Sequence, residues 1–118
     1  MRILLADDYE NFRKVLATVL RHDGHDVEEV GDGHALLTSV ARRAPDLLLA
    51  DVKLPMISAM IALEQLRDRG LAVRTILMTG DDADDLDGEA DRLGALCLLR
   101  KPFTLEELRA VMAELAPA

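Results

Sequence analysis

The sequence predicts a doubly wound α/β fold, in which a five-stranded parallel sheet carries helices on both faces. Five short apolar runs of strand length alternate with five segments that have helical periodicity. Residues 47–50 are apolar throughout, which is typical of a strand buried on both faces. The 118 residues match the size of one domain, so we expect a single domain over residues 1–118. Right-handed crossovers leave the doubly wound arrangement as the natural topology.

The first half of the chain predicts two strands and two helices ahead of the central strand. Residues 3–6 form the first strand, and residues 9–23 have one apolar helical face that ends at Gly24. Residues 27–30 are a partly polar strand, and Asp32 is placed to cap a helix that ends before Pro45. The apolar helix positions are Phe12, Val15, Leu16, Val19 and Leu20, then Leu36, Leu37, Val40 and Ala41.

The second half repeats this alternation. After the strand at residues 47–50, Ser58 is placed to cap a helix that Gly70 closes, and residues 73–78 form the next strand. Residues 86–93 are a weak helix candidate and residues 96–99 a fifth strand. Thr104 and Glu107 have capping-box spacing at the start of a final helix. The inward positions of these helices are Leu63 and Leu66, then Leu105, Leu108, Val111, Met112 and Leu115.

Charge and cysteine content limit the classes of partner. The net charge is −8 and the pI about 4.7, so direct nucleic-acid binding is not expected, because phosphate backbones need clustered Lys and Arg. The single cysteine, Cys97, cannot form an intramolecular disulfide. No apolar run has the length of a signal peptide or a membrane span. We therefore expect a cytoplasmic protein without membrane contact.

Polar residues follow four of the five predicted strands. Asp7 and Asp8 follow the first strand, Asp51 the third, Thr79 the fourth and Lys101 the fifth. Because the carboxyl ends of parallel strands meet at one edge of the sheet, these side chains should converge. Three converging carboxylates repel one another, and a divalent cation relieves that repulsion. With only oxygen donors among the candidates, the pattern favours Mg²⁺ or Mn²⁺ over zinc.

This set of residues suits phosphoryl transfer to a carboxylate. Asp51 would attack phosphorus as the nucleophile and become an acyl phosphate. Asp8 would hold the metal, with Asp7 assisting directly or through water. Thr79 and Lys101 would contact the phosphoryl oxygens, whose negative charge grows in the transition state.

The sequence as a whole resembles the receiver domain of two-component response regulators. The resemblance covers essentially all 118 residues, and it rests on the segments ILLADDYE, LLLADVKLP, ILMTG and LLRKPF in the family's order. It implies a flavodoxin-like sheet of order 2-1-3-4-5. It also implies a phosphoprotein that takes part in signal transduction rather than an enzyme with a separate substrate.

The resemblance also assigns roles to individual residues. It implies that Asp51 accepts phosphate from a sensor histidine kinase or a phosphotransfer protein, and that the change alters contacts with a downstream protein target. Asp8 and Asp51 would bind Mg²⁺ together with the backbone carbonyl of Lys53, and Asp7 would act through water. Lys101 would be one of the residues that contact the phosphoryl group, and the peptide bond between Lys101 and Pro102 would be cis.

The chain departs from the family pattern in three places. Leu98 occupies the position of an aromatic residue that helps report phosphorylation. The segment PMISAMIAL has apolar residues where the family has small or polar ones, and we expect them to repack over the third helix, with a contact surface as the alternative. Seven acids fall in residues 81–91, and Gly88 interrupts them, so we expect a short, frayed or mobile fourth helix.

Three other functions compete with this interpretation, and the residues present argue against the first two. A phosphatase with an Asp nucleophile needs a second acid two residues later, where this chain has Lys53. A flavin or nucleotide binder needs a phosphate loop rich in small residues, and the acidic segment DDYEN repels phosphate without a metal. A degenerate receiver that binds proteins independently of phosphorylation is the alternative that Leu98 and the acidic segment keep open.

Overall fold

The computed structural model describes residues 1–80 and 86–115, and in the second range it describes side chains from residue 88 onward. Strands and helices alternate along the chain. The strands are β1 (Arg2–Ala6), β2 (Asp26–Val30), β3 (Leu47–Asp51), β4 (Thr75–Thr79) and β5 (Cys97–Arg100). The helices are α1 (Glu10–His22), α2 (Gly33–Arg42), α3 (Ala59–Asp68), α4 (Leu86–Arg92) and α5 (Leu105–Leu115).

All five strands form one parallel sheet in the order β2-β1-β3-β4-β5, which confirms the predicted topology. The strand β3 lies at the centre, with Ala50 opposite Ala6 on one side and Asp51 opposite Met78 on the other. Every strand therefore presents its carboxyl end at the same edge. The segments that follow β1, β3, β4 and β5 meet there.

Two aliphatic layers cover the two faces of the sheet. Alternate residues of β1 point to opposite sides, so Leu4 packs in the layer beneath α2 and α3, whereas Leu5 packs beneath α1 and α5. Both faces of the central strands are buried, and this explains why residues 47–50 carry no polar side chain.

The helix caps that the sequence predicts are present in the structure. The side-chain oxygens of Asp32, Ser58 and Thr104 each accept the backbone N–H of the residue three positions later, at 2.7, 3.2 and 3.0 Å. Gly24 follows α1 with a φ of +96°, a conformation that glycine adopts without strain. These features fix one end of each of α1, α2, α3 and α5.

Some sequence expectations about packing are wrong. Val15, expected inward, is 66% exposed, because the buried stripe of α1 runs through Leu16, Ala17 and Leu20. Ala41 and Leu105 are also exposed. Strand β4 begins at Thr75 rather than at residue 73.

The expected repacking over α3 occurs at Ile57 and Met60, which pack in or against the core layer beneath α2 and α3, but not at Met56 and Ile61. Met56 is 77% exposed and Ile61 50% exposed, so neither side chain enters the core. The fourth helix is short, as predicted, with seven residues in the described range. Residues 81–85, on which the expectation of a mobile acidic segment partly rests, lie outside the described residues. Within the described ranges, no helix combines the length and apolar character needed to cross a bilayer.

Candidate functional site

The predicted site residues lie together at the carboxyl edge of the sheet. Asp7 directly follows β1, and its N–H donates to the carbonyl of Val30 at the end of β2. Asp51 and Thr79 are the last residues of β3 and β4. Lys101 directly follows β5, and its N–H donates to the Thr79 carbonyl at 2.7 Å. The strand ladder thus extends into the site and sets the position of each side chain.

The ammonium group of Lys101 bridges two carboxylates. Its Nζ atom lies 2.7 Å from Oδ2 of Asp51 and 2.8 Å from Oδ2 of Asp7. The second oxygen of Asp51 accepts the N–H of Lys53 at 2.8 Å, and the second oxygen of Asp7 accepts the N–H of Tyr9 at 2.9 Å. Each carboxylate is therefore held by one backbone and one charged donor, which is a strong arrangement for an anion.

Burial distinguishes the two acids that the lysine bridges. Asp7 is completely buried, whereas the Asp51 side chain is 13% exposed and the Lys101 side chain 22%. An approaching group can therefore reach Asp51 but not Asp7. The buried acid fixes the lysine, and the accessible acid faces solvent.

Two opposing effects act on the pKa of Lys101. Burial lowers the pKa of the ammonium group, but the hydrogen bonds and charges of Asp51 and Asp7 outweigh burial, so the net pKa is raised. Lys101 therefore carries its positive charge throughout the physiological pH range.

The raised pKa of Lys101 predicts how the free energy of unfolding changes at alkaline pH. Because the folded-state pKa of Lys101 exceeds the unfolded value, its contribution to the free energy of unfolding is complete below the ordinary lysine pKa. The contribution is lost as the pH rises through the folded pKa, which lies above 10.5. Urea unfolding of wild type and Lys101→Met at several pH values should show a stability gap that is constant near neutrality and narrows above about pH 10.5. A gap that widens at alkaline pH would contradict this sign.

An open pocket of about 400 Å³ lies over the exposed face of this edge. It is lined by Asp8, Asp51, Lys53, Gly80 and Lys101. Asp7 and Thr79 adjoin the pocket but are buried, with Thr79 only 1% exposed. The adjacent acids after β1 therefore differ in environment, since Asp8 faces the pocket and Asp7 supports Lys101 from within the protein.

The donor set of this pocket is compatible with a hard cation. Asp8 and Asp51 contribute carboxylate oxygens to the lining, and among the described residues neither a histidine nor a cysteine lines the pocket. Within the part of the chain that the structure describes, no three His, Cys, Asp or Glu side chains form a metal-binding group. Two carboxylates completed by water match the coordination of Mg²⁺, which keeps several waters in protein sites.

The structure also shows two other features that were considered from the sequence, a peptide bond and the residue Leu98. The Lys101–Pro102 peptide bond is cis, as the resemblance implied. Leu98, at the position where an aromatic residue was expected, is half-buried on β5 and packs against the core layer beneath α2 and α3. Its side chain therefore stays inside the fold in this structure.

Phe12 is a neighbour of the site that was not predicted from the sequence. Its ring centroid lies 4.2 Å from Nζ of Lys101 and 6.0 Å from the ring centroid of Phe103, in a T-shaped arrangement. The available signal was the scarcity of aromatic residues, because two of the three, Tyr9 and Phe103, lie within the site motifs ILLADDYE and LLRKPF. A second missed residue is Arg13, whose guanidinium donates to the Asp7 carbonyl at 3.0 Å.

The fold and the site together define a phosphoacceptor type of signalling domain. The family model for the response regulator receiver domain matches residues 3–113, and this chain belongs to that family. Proteins of this family work in two-component signal transduction, where they interact with histidine kinases or phosphotransfer proteins.

Curated relatives differ in how much of their length this chain spans. Sporulation initiation phosphotransferase F of Bacillus subtilis is 30% identical over 116 residues, which cover 98% of this chain and 94% of that protein. Response regulator MprA of Mycobacterium leprae is 37% identical over 93% of this chain, but the match covers 48% of MprA. Regulatory protein AtoC of Escherichia coli is 32% identical, and the match covers 94% of this chain and 24% of AtoC.

Solved structures have the same fold. The receiver domain of NarL from Mycobacterium tuberculosis has a TM-score of 0.85 and 27% identity, covering 97% of this chain and 94% of that one. The BeF3-activated receiver domain of Klebsiella pneumoniae RstA has a TM-score of 0.90 and 24% identity, covering 99% of this chain and all of that one. The second likeness supports the fold alone.

Proposed function

We propose that this chain is a phosphoacceptor domain in which Asp51 takes a phosphoryl group from the phosphohistidine of a sensor kinase or phosphotransfer protein. The observation that carries this proposal is the position of Asp51. Its carboxylate ends the central strand, borders an open pocket and is oriented by Lys101 and by the Lys53 N–H. A nucleophile fixed on a rigid strand end loses little freedom on reaction.

The proposed reaction moves one phosphoryl group between two proteins. An oxygen of the Asp51 carboxylate forms a bond to phosphorus, and the phosphorus–nitrogen bond of the donor breaks. The electron pair of that bond returns to the imidazole nitrogen, so the product is an acyl phosphate on Asp51 and a free histidine on the donor. Lys101 already contacts the carboxylate at 2.7 Å, and it would donate next to a phosphoryl oxygen.

Magnesium is part of this proposal. Asp8, Asp51 and the carbonyl of Lys53 would hold the ion, with Asp7 linked through water, and the ion would neutralise charge on the phosphoryl oxygens. Thr79 is proposed to donate its hydroxyl to the same oxygens. Because its side chain is 1% exposed, this role requires a local movement at the end of β4.

The proposed output is a change in protein–protein contacts. We propose a single receiver domain over residues 1–118 that acts as a signalling module and not as an enzyme with a separate substrate. Its free cysteine, Cys97, suits a reducing compartment, and we propose a cytoplasmic location. Direct nucleic-acid binding does not fit the net charge of −8.

The alternative of a degenerate receiver rests on Leu98 and on the acidic segment, of which residues 81–85 lie outside the described residues. Leu98 is half-buried against aliphatic neighbours. As a leucine, it has no hydroxyl group to offer to solvent or to a partner. The complete set of Asp8, Asp51 and Lys101 around one pocket favours a working phosphoacceptor instead.

Intact mass measurement tests the proposal directly. The protein is incubated with Mg²⁺ and a small phosphodonor such as acetyl phosphate, with a parallel sample in which a chelator removes the metal. We expect the mass to rise by one phosphoryl group in the first sample only. Borohydride trapping followed by peptide mapping should place the label at Asp51. A mass that stays constant with Mg²⁺, or a label elsewhere, would contradict the proposal.

A further inference from the structure

All three aromatic side chains of this chain gather beside Lys101. The sequence contains one Tyr, two Phe and no Trp. Tyr9, Phe12 and Phe103 line a cavity of about 370 Å³ together with Pro102 and Lys101. The rest of the core is aliphatic. The aromatic residues are therefore concentrated around this one cavity, which Lys101 also lines.

The Phe12 ring contacts the charged end of that lysine. Nζ of Lys101 lies 4.2 Å from the ring centroid, within the range at which an ammonium group is attracted to an aromatic face. The same nitrogen bonds to Asp51 at 2.7 Å and to Asp7 at 2.8 Å. The ammonium is therefore held by two carboxylates and one ring face.

The ring is itself fixed in place. Phe103 meets Phe12 nearly at right angles, with an interplanar angle of 82°, which is a favoured geometry for an aromatic pair. Both rings pack against the core layer beneath α1 and α5. Phe12 thus offers Lys101 a rigid surface rather than a mobile one.

We propose that Phe12 is a positioning residue, whose ring face holds the ammonium group of Lys101 at the entrance to Asp51. The role in phosphorylation rests on the proposed function. When Asp51 becomes an acyl phosphate, its contact with Lys101 must pass from a carboxylate oxygen to a phosphoryl oxygen. The contact with Phe12 does not depend on the charge of Asp51, so it can persist while the ammonium changes partner.

Fluorinated phenylalanines at position 12 separate this role from packing. Fluorine withdraws charge from the ring face while changing the volume of the side chain little, so it weakens attraction for a cation selectively. Mono-, di- and trifluorinated residues are introduced at position 12 alone in the full chain. Two quantities are measured: the order parameter of the Lys101 Nζ group by ¹⁵N relaxation, and the initial rate of phosphate uptake with Mg²⁺ and acetyl phosphate.

We expect both quantities to fall stepwise with the number of fluorines. The trifluorinated protein should take up phosphate roughly threefold to tenfold more slowly. Phe12→Leu should resemble it, and Phe12→Tyr, which keeps an aromatic face, should retain a rate near wild type. The same fluorinated series at Phe103 serves as the matched control and should have a smaller effect.

The two measurements distinguish failure of the inference from failure of the proposed function. A Lys101 order parameter that is unchanged across the Phe12 series would overturn the inference, and so would rates independent of fluorine in a protein that takes up phosphate. If the wild type takes up no phosphate, the proposed function fails, and the order parameter of the unphosphorylated protein still decides whether Phe12 positions Lys101.

Discussion

Asp51→Asn is expected to abolish phosphate uptake from acetyl phosphate in the presence of Mg²⁺. The amide of Asn has the shape of the carboxylate, but it lacks an anionic oxygen that can attack phosphorus. The fold should persist, because Lys101 keeps its ion pair with the buried Asp7 and the Lys53 N–H can still donate to the amide oxygen. Intact mass should show no added phosphoryl group, while the far-ultraviolet circular dichroism spectrum stays that of the wild type.

A matched control removes an acid elsewhere. Asp68 is the exposed last residue of α3, and the Asp68→Asn variant loses one negative charge without touching the pocket. It should gain one phosphoryl group at the wild-type rate. An Asp51→Asn protein that gains a phosphoryl group would remove this residue from the central role, and mapping would then identify the acceptor.

The order of elements was predictable because each level of the sequence pattern agrees with the others. Alternating strands and helices, caps at Asp32 and Ser58 and the turn at Gly24 all specify the same chain path. The site was predictable for a related reason: residues placed directly after parallel strands must meet at one edge of the sheet. The positions of Asp51 and Lys101 at the ends of two parallel strands therefore predicted that they meet, although 50 residues separate them.

The burial of individual side chains was less predictable. Asp7 and Asp8 are chemically identical neighbours, yet Asp7 is completely buried and Asp8 lines the pocket. Asp7 and Asp8 follow β1, and the difference arises because Asp7 contacts Lys101, which is a tertiary contact. The error at Val15 has a similar origin, because periodicity gives the apolar stripe of a helix but not its exact width.

The loop after β3 was the least predictable part of the site. Met56 has a φ of +69°, a conformation that costs energy for residues other than glycine, and its side chain projects outward. The loop is held instead by backbone contacts: the N–H of Gly33 donates to the carbonyl of Pro55 at 3.2 Å. No local pattern in the sequence joins these two distant segments.

Gly33→Ala is expected to lower the free energy of unfolding by disrupting this contact between α2 and the loop after β3. A Cβ atom on Gly33 would lie 1.8 Å from the carbonyl oxygen of Ile57, and the nearest atoms beside it are also in Ile57, including backbone. Backbone cannot rotate away as a flexible side chain can, so α2 and the loop must separate. Such overpacking costs about 1–3 kcal/mol, and loss of the bond to Pro55 adds about 1 kcal/mol.

Urea unfolding measures this cost. We expect the free energy of unfolding to fall by about 3 kcal/mol, with an unchanged m-value if only the native state is affected. Because the displaced loop also carries Lys53, whose N–H orients Asp51, the folded fraction of the variant should take up phosphate more slowly than the wild type.

Gly88→Ala is a control substitution that is expected to raise the free energy of unfolding instead of lowering it. A Cβ atom on Gly88 meets no atom within 4 Å, and the residue lies within α4. Alanine there should raise the free energy of unfolding by up to about 1 kcal/mol, because glycine is a poor helix former. If Gly33→Ala were as harmless as Gly88→Ala, the close approach of α2 to the loop after β3 would not exist in solution, and the loop would need another anchor to hold Lys53 against Asp51.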